Sequence, residues 1–424
     1  MSRISKELGE LKNMFSGEIY LSEDGIEELV LDAKFIYDLK ENLSYIVDGR
    51  HLSYVLHSCE SIILCVIFAL IANCNDFVQI HLFMKKHYEW LDKHVGFDCG
   101  LPSISTVKRV IAIINPKELE TICVEAINSF LEKNKPLYKD DNLIIEDKKS
   151  MDGKTANASD RKSSKEGEIA KTNAMSIYSV KKGYCEATEF IHEKTNEIPT
   201  GVELLKRVNV KNCVILFDAM STQTATINYI VDNKGYYVAP VKGNQGNLLE
   251  NIKSYFDDES LLNKAKEKGY RVVKEKAHGD IEEREYIFTN DIDWLYKKDD
   301  WKDLKAIGVA IRKYKNDKGE DVEDKRYFIT NLDYNKIELI SSSIRDEWKV
   351  ENNLHFFLDM VFQEDKNKSF LENSQKNLNI MRKFCLTILK IFKAQTKLSM
   401  NSIRFNISMD FENEIEKVID TLYK

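Results

Sequence analysis

Residues 213–223 read CVILFDAMSTQ. Cys213 to Phe217 form a short, wholly apolar run of strand-formers, the pattern of an interior parallel strand buried on both faces. Asp218 then stands where the strand ends and small polar residues take over. One explanation is a cap for the next helix, since Asp is a favoured N-cap residue. The other is chemistry, because ligands of open α/β sheets gather at strand ends. The choice depends on whether other carboxylates reach the same place.

The chain around this stretch has 424 residues, which suggests two or three domains. Hydrophobic residues at 43% can build sizeable cores, and 31% charged residues with five prolines argue against long disorder. A net charge of −7 disfavours a simple nucleic-acid coat protein, although binding depends on local patches. The eight cysteines include no CxxC pair and no zinc-like grouping with histidine, so they read as small buried thiols in a reducing cytoplasm. The start MSRISKELGELKNMF lacks an apolar signal core. The longest apolar stretch, Ser61–Cys74, falls short of the ~20 residues of a membrane helix. A soluble, cytoplasmic protein is expected.

Helical periodicity fills residues 1–140, where apolar residues recur at three- and four-residue steps. After the GLPSIS turn, Ser105 is the expected N-cap of a helix carrying Lys108 and Arg109. From about 141 the period changes. NLIIEDKKSMDGKT reads as one or two strands, and AMSIYSVKKGYCEATEFIHEK as two strands about a turn at Lys182–Gly183. A helix, the strand 213–217, a second helix and the strand YYVAPVKG follow, which is a mixed α/β order. Residues 262–332 alternate apolar and polar residues and interrupt that order with β-rich material, with a turn at Asn316–Gly319. Helical periodicity returns at 337.

Three acids stand at telling places. Asp152 in MDGKT follows a strand-like run, Asp218 ends the core strand, and Glu351 lies in the helical stretch DEWKVENNLHFFLDMVF. There Trp348, Glu351 and His355 fall at i, i+3 and i+7, one apolar-rich face expected to point at the sheet. Converging carboxylates repel and lose hydration, which metal ions relieve. Oxygen ligands favour Mg²⁺ or Mn²⁺. Two such ions about 4 Å apart suit phosphodiester transfer.

The order MDGKT, FDAMSTQ, VKGNQGNLLENI, HGDIEER, WKVENNLHFFLDMVFQED resembles the ISAs-type, H-repeat-associated insertion-sequence transposases of the DDE superfamily. The likeness runs from about residue 45 to 390 and takes in DGRHLSYVLHSCESIILCVIFALIANCNDFVQI and GLPSISTVKRV. It implies an α/β fold: a ribonuclease-H-like mixed sheet split by the β-rich insertion, with a helical N-terminal domain over 1–140 and a catalytic domain over 141–424. It implies that Asp152, Asp218 and Glu351 are the catalytic, metal-binding triad for two Mg²⁺ or Mn²⁺ ions. It further implies a homodimer acting on transposon terminal inverted repeats and target DNA, without a membrane role and associated with the nucleoid when bound. Glu347 stands where the family commonly has His, Asp280 where it has Arg, and a His–Leu pair near NAMSIYS is missing.

Further residues are candidates for DNA contact. Lys242, Asn244 and Gln245 follow a strand and offer donors to phosphates, or form an ordinary turn. Lys154 is placed to meet a scissile phosphate or to pair with a carboxylate. Arg345 and Asn352 flank Glu351. His355 is read as a packed helix residue rather than a ligand, and His278 as either a turn or a DNA residue. Asp359, Glu364 and Asp365 are alternative third acids, with solvated or capping roles favoured. Residues 366–404 carry nine Lys/Arg against one acid. This stretch, with Arg382, Lys383 and Lys390, is expected to face phosphates, and the opposing reading is an amphipathic helix with Cys385, Leu389 and Phe392 as its stripe. STVKRVIAII is the candidate DNA-reading helix of the N-terminal domain.

Overall fold

The computed structural model describes residues 34–51, 53, 55–97, 99–131, 136–140, 143–156, 172–191, 197–277, 280–316, 319–366 and 372–422. Contacts gather into two compact units: one of Lys133–Thr155 and Asn173–His355, the other of the remaining residues. The second unit is helical. After helical residues 34–43 come α1 (Cys59–Ile71), α2 (Phe77–Lys86), α3 (Tyr88–His94), α4 (Ile104–Ile113) and α5 (Pro116–Phe130). The apolar run from Ser61 is the buried centre of α1, and no helix among the described residues is long and apolar enough to cross a membrane. The cap of α4 is Ser103, whose hydroxyl accepts from the Thr106 amide, and not the expected Ser105.

In the sheet unit, β1 (Tyr138–Asp140) and β2 (Leu143–Ile145) form a small hairpin ahead of β3 (Asp147–Ala156). Next come β4 (Thr172–Ser179), β5 (Cys185–Ile191), α6 (Glu197–Leu205), β6 (Cys213–Phe217), α7 (Thr224–Asp232) and β7 (Tyr236–Val241). Antiparallel β5–β4 lies at one side, and β3, β6 and β7 run parallel, in the order β5-β4-β3-β6-β7 of a ribonuclease-H-like core. Every residue of β6 is buried, as its apolar run requires. The turn between β4 and β5 places Gly183 at φ +79°, a conformation that suits glycine.

Helices α8 (Gly246–Asp257) and α9 (Glu259–Lys268) lead into β8 (Gly269–Ala277), β9 (Asp280–Thr289), β10 (Ala306–Lys315) and β11 (Asp321–Thr330). The β-rich interruption therefore begins at 269, since the first residues of the expected 262–332 segment finish a helix. Its strands extend the core: β11 pairs with β7, which gives one nine-stranded sheet. Helix α10 (Ile337–Asp346) returns across the sheet, where Leu339, Ile340 and Ile344 join Val214, Leu216, Phe288 and Phe328 in an apolar cluster.

The C-terminal helices α11 (Phe356–Met360), α12 (Glu372–Lys393), α13 (Met400–Met409) and α14 (Phe411–Thr421) belong to the helical unit. Here the sequence reading needs correction. Helix α12 packs against α1, α4 and α5, so the basic stretch is largely interior. Arg382 is 0% exposed, Lys383 7% and Arg404 1%. The apolar residues of α12 are not a stripe: Leu378, Ile380, Met381, Phe384, Leu386 and Ile388 are buried along with Cys385 and Leu389, and so are the polar Asn377, Asn379 and Thr387, which makes a helix buried nearly all round. Arg382 and Lys383 therefore cannot meet phosphates on this surface. Lys390 is half-buried, its ammonium 5.6 Å from the Phe357 ring centroid. Lys366 and Lys397 remain exposed. The cysteines are mostly buried, Cys99 being exposed and Cys74 intermediate.

Candidate active site

Strands β3 and β6 run side by side with Met151 opposite Phe217 as their last paired residues. Asp152 and Asp218 are the next residue on each, so the two carboxylates follow side by side where the pairing of these parallel strands stops, β3 itself running on to Ala156. The capping explanation for Asp218 fails: α7 starts six positions later, with Gln223 at its N-cap position. Asp218 instead accepts from the Ser221 amide at 3.1 Å, closing a tight turn at the strand tip.

The third acid arrives differently from expectation. Beyond α10, residues Glu351–His355 form a π-helical turn, a widened geometry frequent at functional sites. The extra residue in the turn breaks the expected single face. Trp348 is 55% exposed and Glu351 is also exposed, whereas His355 is buried. Glu351 Oε2 lies 3.0 Å from His355 Nδ1, and Asp152 Oδ2 lies 3.5 Å from the same nitrogen. One donor atom each from Asp152, Glu351 and His355 falls within 4.8 Å of the others, a spacing that could hold a metal ion. Asp218 adjoins this group through Asp152 without joining it. Burial pushes the Asp152 carboxyl up to about 6, and the charges of Asp218, Glu351 and Glu347 add to the shift.

Sequence reading missed three contributors. His355 is packed, as expected, yet its ring nitrogen faces two acids; its i+4 spacing from Glu351 is the available signal. Glu347 is a fourth nearby carboxylate, raised by burial although Arg326 grips both of its oxygens, at 3.1 and 2.8 Å. Arg326 comes from β11, far off in sequence, and left no signal.

The expected DNA-contact residues have mixed fates. Lys242 is exposed beyond β7, and its charge reaches Glu347. The Asn244 amide donates to the Ala219 carbonyl at 2.7 Å, and Gln245 donates to Ala219 and Thr222 at 3.3 and 2.6 Å. These donors brace the loop after Asp218. Lys154 is half-buried on the far side of Gly153 from Asp152, and Asn352 is exposed beside Glu351. Arg345 pairs with Glu275 at 2.7 Å. Among the alternative acids, Glu364 is buried in the helical unit, and Asp359 and Asp365 are half-buried there. His278 lies outside the described residues.

Residues 138–388 match the family profile described as Transposase DDE domain, and residues 40–126 match the one described as DDE_Tnp_1-associated. The chain belongs to the DDE transposases. It is similar to the "H repeat-associated putative transposase YhhI" of Escherichia coli K12, with 30% identity over 85% of this chain and 93% of that one. It is also 30% identical to the "Putative transposase YncI" of Escherichia coli O157:H7, over 84% of this chain and 88% of the relative. Among solved structures, a piggyBac transposase synaptic complex with hairpin DNA aligns with 92% of this chain and 81% of its own at 13% identity and a TM-score of 0.41.

Proposed function

We propose that the protein is a DNA transposase that cleaves strands at the ends of an insertion sequence and joins the freed 3′-hydroxyl to target DNA. One observation carries this reading: two carboxylates follow the last paired residues of adjacent parallel strands, and a glutamate from a π turn meets the first of them. Asp152, Asp218 and Glu351 act as the catalytic acids. The donor set fits a hard divalent cation, since it is dominated by carboxylate oxygens, with one imidazole that Mn²⁺ tolerates well. Asp152 and Glu351 would hold it with Asp218 alongside, and two Mg²⁺ or Mn²⁺ ions are the expected complement. Bound there, such ions lower the pKa of an attacking water or hydroxyl and offset charge on the leaving oxygen.

The protein's own groups supply the rest. His355, buried and facing two acids, orients Glu351 and Asp152. Asn244 and Gln245 hold the loop that follows Asp218 in place. Exposed Lys242 and Asn352 and half-buried Lys154 stand around the acids as contacts for the scissile strand. In this reading residues 1–140 recognise the terminal inverted repeats and the chain from 141 onward is catalytic, with its last helices packed among the accessory ones. The protein works as a homodimer in the cytoplasm, at the nucleoid.

The test is Asp218→Asn, which keeps size and removes charge. Cleavage of DNA carrying the element's ends should fall by about 10³-fold, equivalent to ~4 kcal/mol of transition-state stabilisation, while binding to those ends persists. Equal loss of binding and cleavage would refute a catalytic Asp218.

A further inference from the structure

Lys148 is a buried lysine, 5% exposed, that the proposed chemistry does not use. It alternates along β3 with Ser150 and Asp152, so the three residues share one face. Their strand partners Val214 and Leu216 belong to the apolar cluster beneath α10. Each of the three meets the helical segment that ends at Glu351 and His355. Lys148 Nζ donates to Ser342 Oγ at 2.7 Å and to Asp346 Oδ2 at 2.8 Å. Ser150, 0% exposed, donates its hydroxyl to the Glu347 carbonyl at 2.6 Å. Glu347 is the C-cap of α10, a position whose carbonyl the helix itself leaves unsatisfied. Asp152 completes the series at His355. Arg326 adds a grip from β11 through the Glu347 carboxylate.

Successive residues on this face of β3 meet successive parts of the segment: Lys148 at Ser342 and Asp346, Ser150 at Glu347, and Asp152 at His355. Apolar packing of Leu339, Ile340 and Ile344 attracts α10 to the sheet without direction. The polar contacts have fixed partners, and a slip of one residue would strand a buried ammonium and a buried hydroxyl.

We propose that Lys148, Ser150 and Arg326 are positioning residues: a polar ladder sets the register of residues 342–355 on β3 and thereby holds Glu351 at Asp152. This rests on the metal-dependent reading above. The competing account is that the ladder merely fastens α10 to the sheet.

The test uses the full chain, Mn²⁺ alone as probe, and calorimetric titration beside thermal melting in EDTA. Ser150→Ala and the paired Lys148→Met/Asp346→Leu, which leaves neither charge alone, should each weaken Mn²⁺ affinity about tenfold or more, the usual effect of losing a supporting contact around a metal site. Melting temperature and duplex DNA affinity in EDTA should stay close to those of the unmodified protein. Unchanged Mn²⁺ affinity in both variants overturns the inference. So does a loss of Mn²⁺ affinity that only tracks a fall in melting temperature. Glu351→Gln serves as control: if it leaves Mn²⁺ affinity unaltered, the metal centre itself is wrong, and the positioning role falls with it.

Discussion

Both units of the molecule bury charge, and they do so to different ends. In the helical unit, Arg404 donates to the carbonyls of Leu70 and Val361 and to the Asn75 side chain. Arg382 lies 3.5 Å from Glu364, which also accepts from Asn379 at 2.8 Å. These groups satisfy helix ends and loops, and they stop there. In the sheet unit, Asp147 and Lys149 on one face of β3 bond with Ser179 and Glu186, and Lys148 and Ser150 on the other meet α10. That strand then carries Asp152, half-buried beside three other acids, Asp218, Glu351 and Glu347. In the sheet unit the strand that buries charge runs on to the acids of the proposed site, whereas in the helical unit the buried charge stays within the scaffold.

The largest effect expected from this contrast lies in the scaffold. Arg382→Leu removes the cation beside the buried Glu364, and breaking one side of such a pair costs about 3–5 kcal/mol. Chemical denaturation should show that loss. The salt dependence of DNA affinity should not change, because a residue with no exposure neutralises no phosphate. A slope flattened by about 0.9 would mean that Arg382 does reach one, and the contrast between the units would collapse.

A smaller effect tests the extension of the sheet. A Cβ at Gly308 would lie 2.4 Å from the Phe288 ring, and Phe288 sits in the cluster beneath α10. Gly308→Ala should therefore cost about 1–3 kcal/mol as overpacking, measurable in the same denaturation experiment. No cost would show that β9 and β10 can part from the core sheet, and the interruption would then be an independent flap.

Particular residues show what was legible in the sequence. The run from Cys213 to Phe217 announced its strand because nothing polar dilutes it, and Asp218 announced the strand's end. MDGKT and the acid order were readable as motifs. DKKS, immediately upstream, was not: Asp147–Ser150 are all buried, and their partners at 179, 186, 342, 346 and 347 are brought near only by folding. Helix α12 misled for the opposite reason. Its cations were counted as a surface, whereas a helix wrapped on most sides carries its polar groups inward to carboxylates and carbonyls. The π turn at Glu351–His355 was invisible because one added residue per turn leaves no compositional trace. His355 was placed in the core, correctly, without its facing acids.

The smallest effect concerns Asp152 and reads the charge-bearing strand directly. Its carboxyl is raised from 3.8 to about 6, so between those values the folded chain holds a proton that the unfolded chain has released. Folding stability contributed at this position therefore falls as pH rises through that window, and the full cost is present above about pH 6. Asp152→Asn, neutral throughout, should raise the melting temperature of the metal-free protein at pH 7.5 and leave it unchanged near pH 4. The side chain keeps 36% of its exposure, so solvent screens the charge and a gain of only about 1–3 °C is expected. Saturating Mn²⁺ should reverse the order at pH 7.5, because binding to the folded state stabilises the native carboxylate and has less to hold in the variant. No gain at pH 7.5 would show that Asp152 is solvated like any surface acid. The strand that carries Lys148 and Ser150 would then end in scaffold, as the helical unit does.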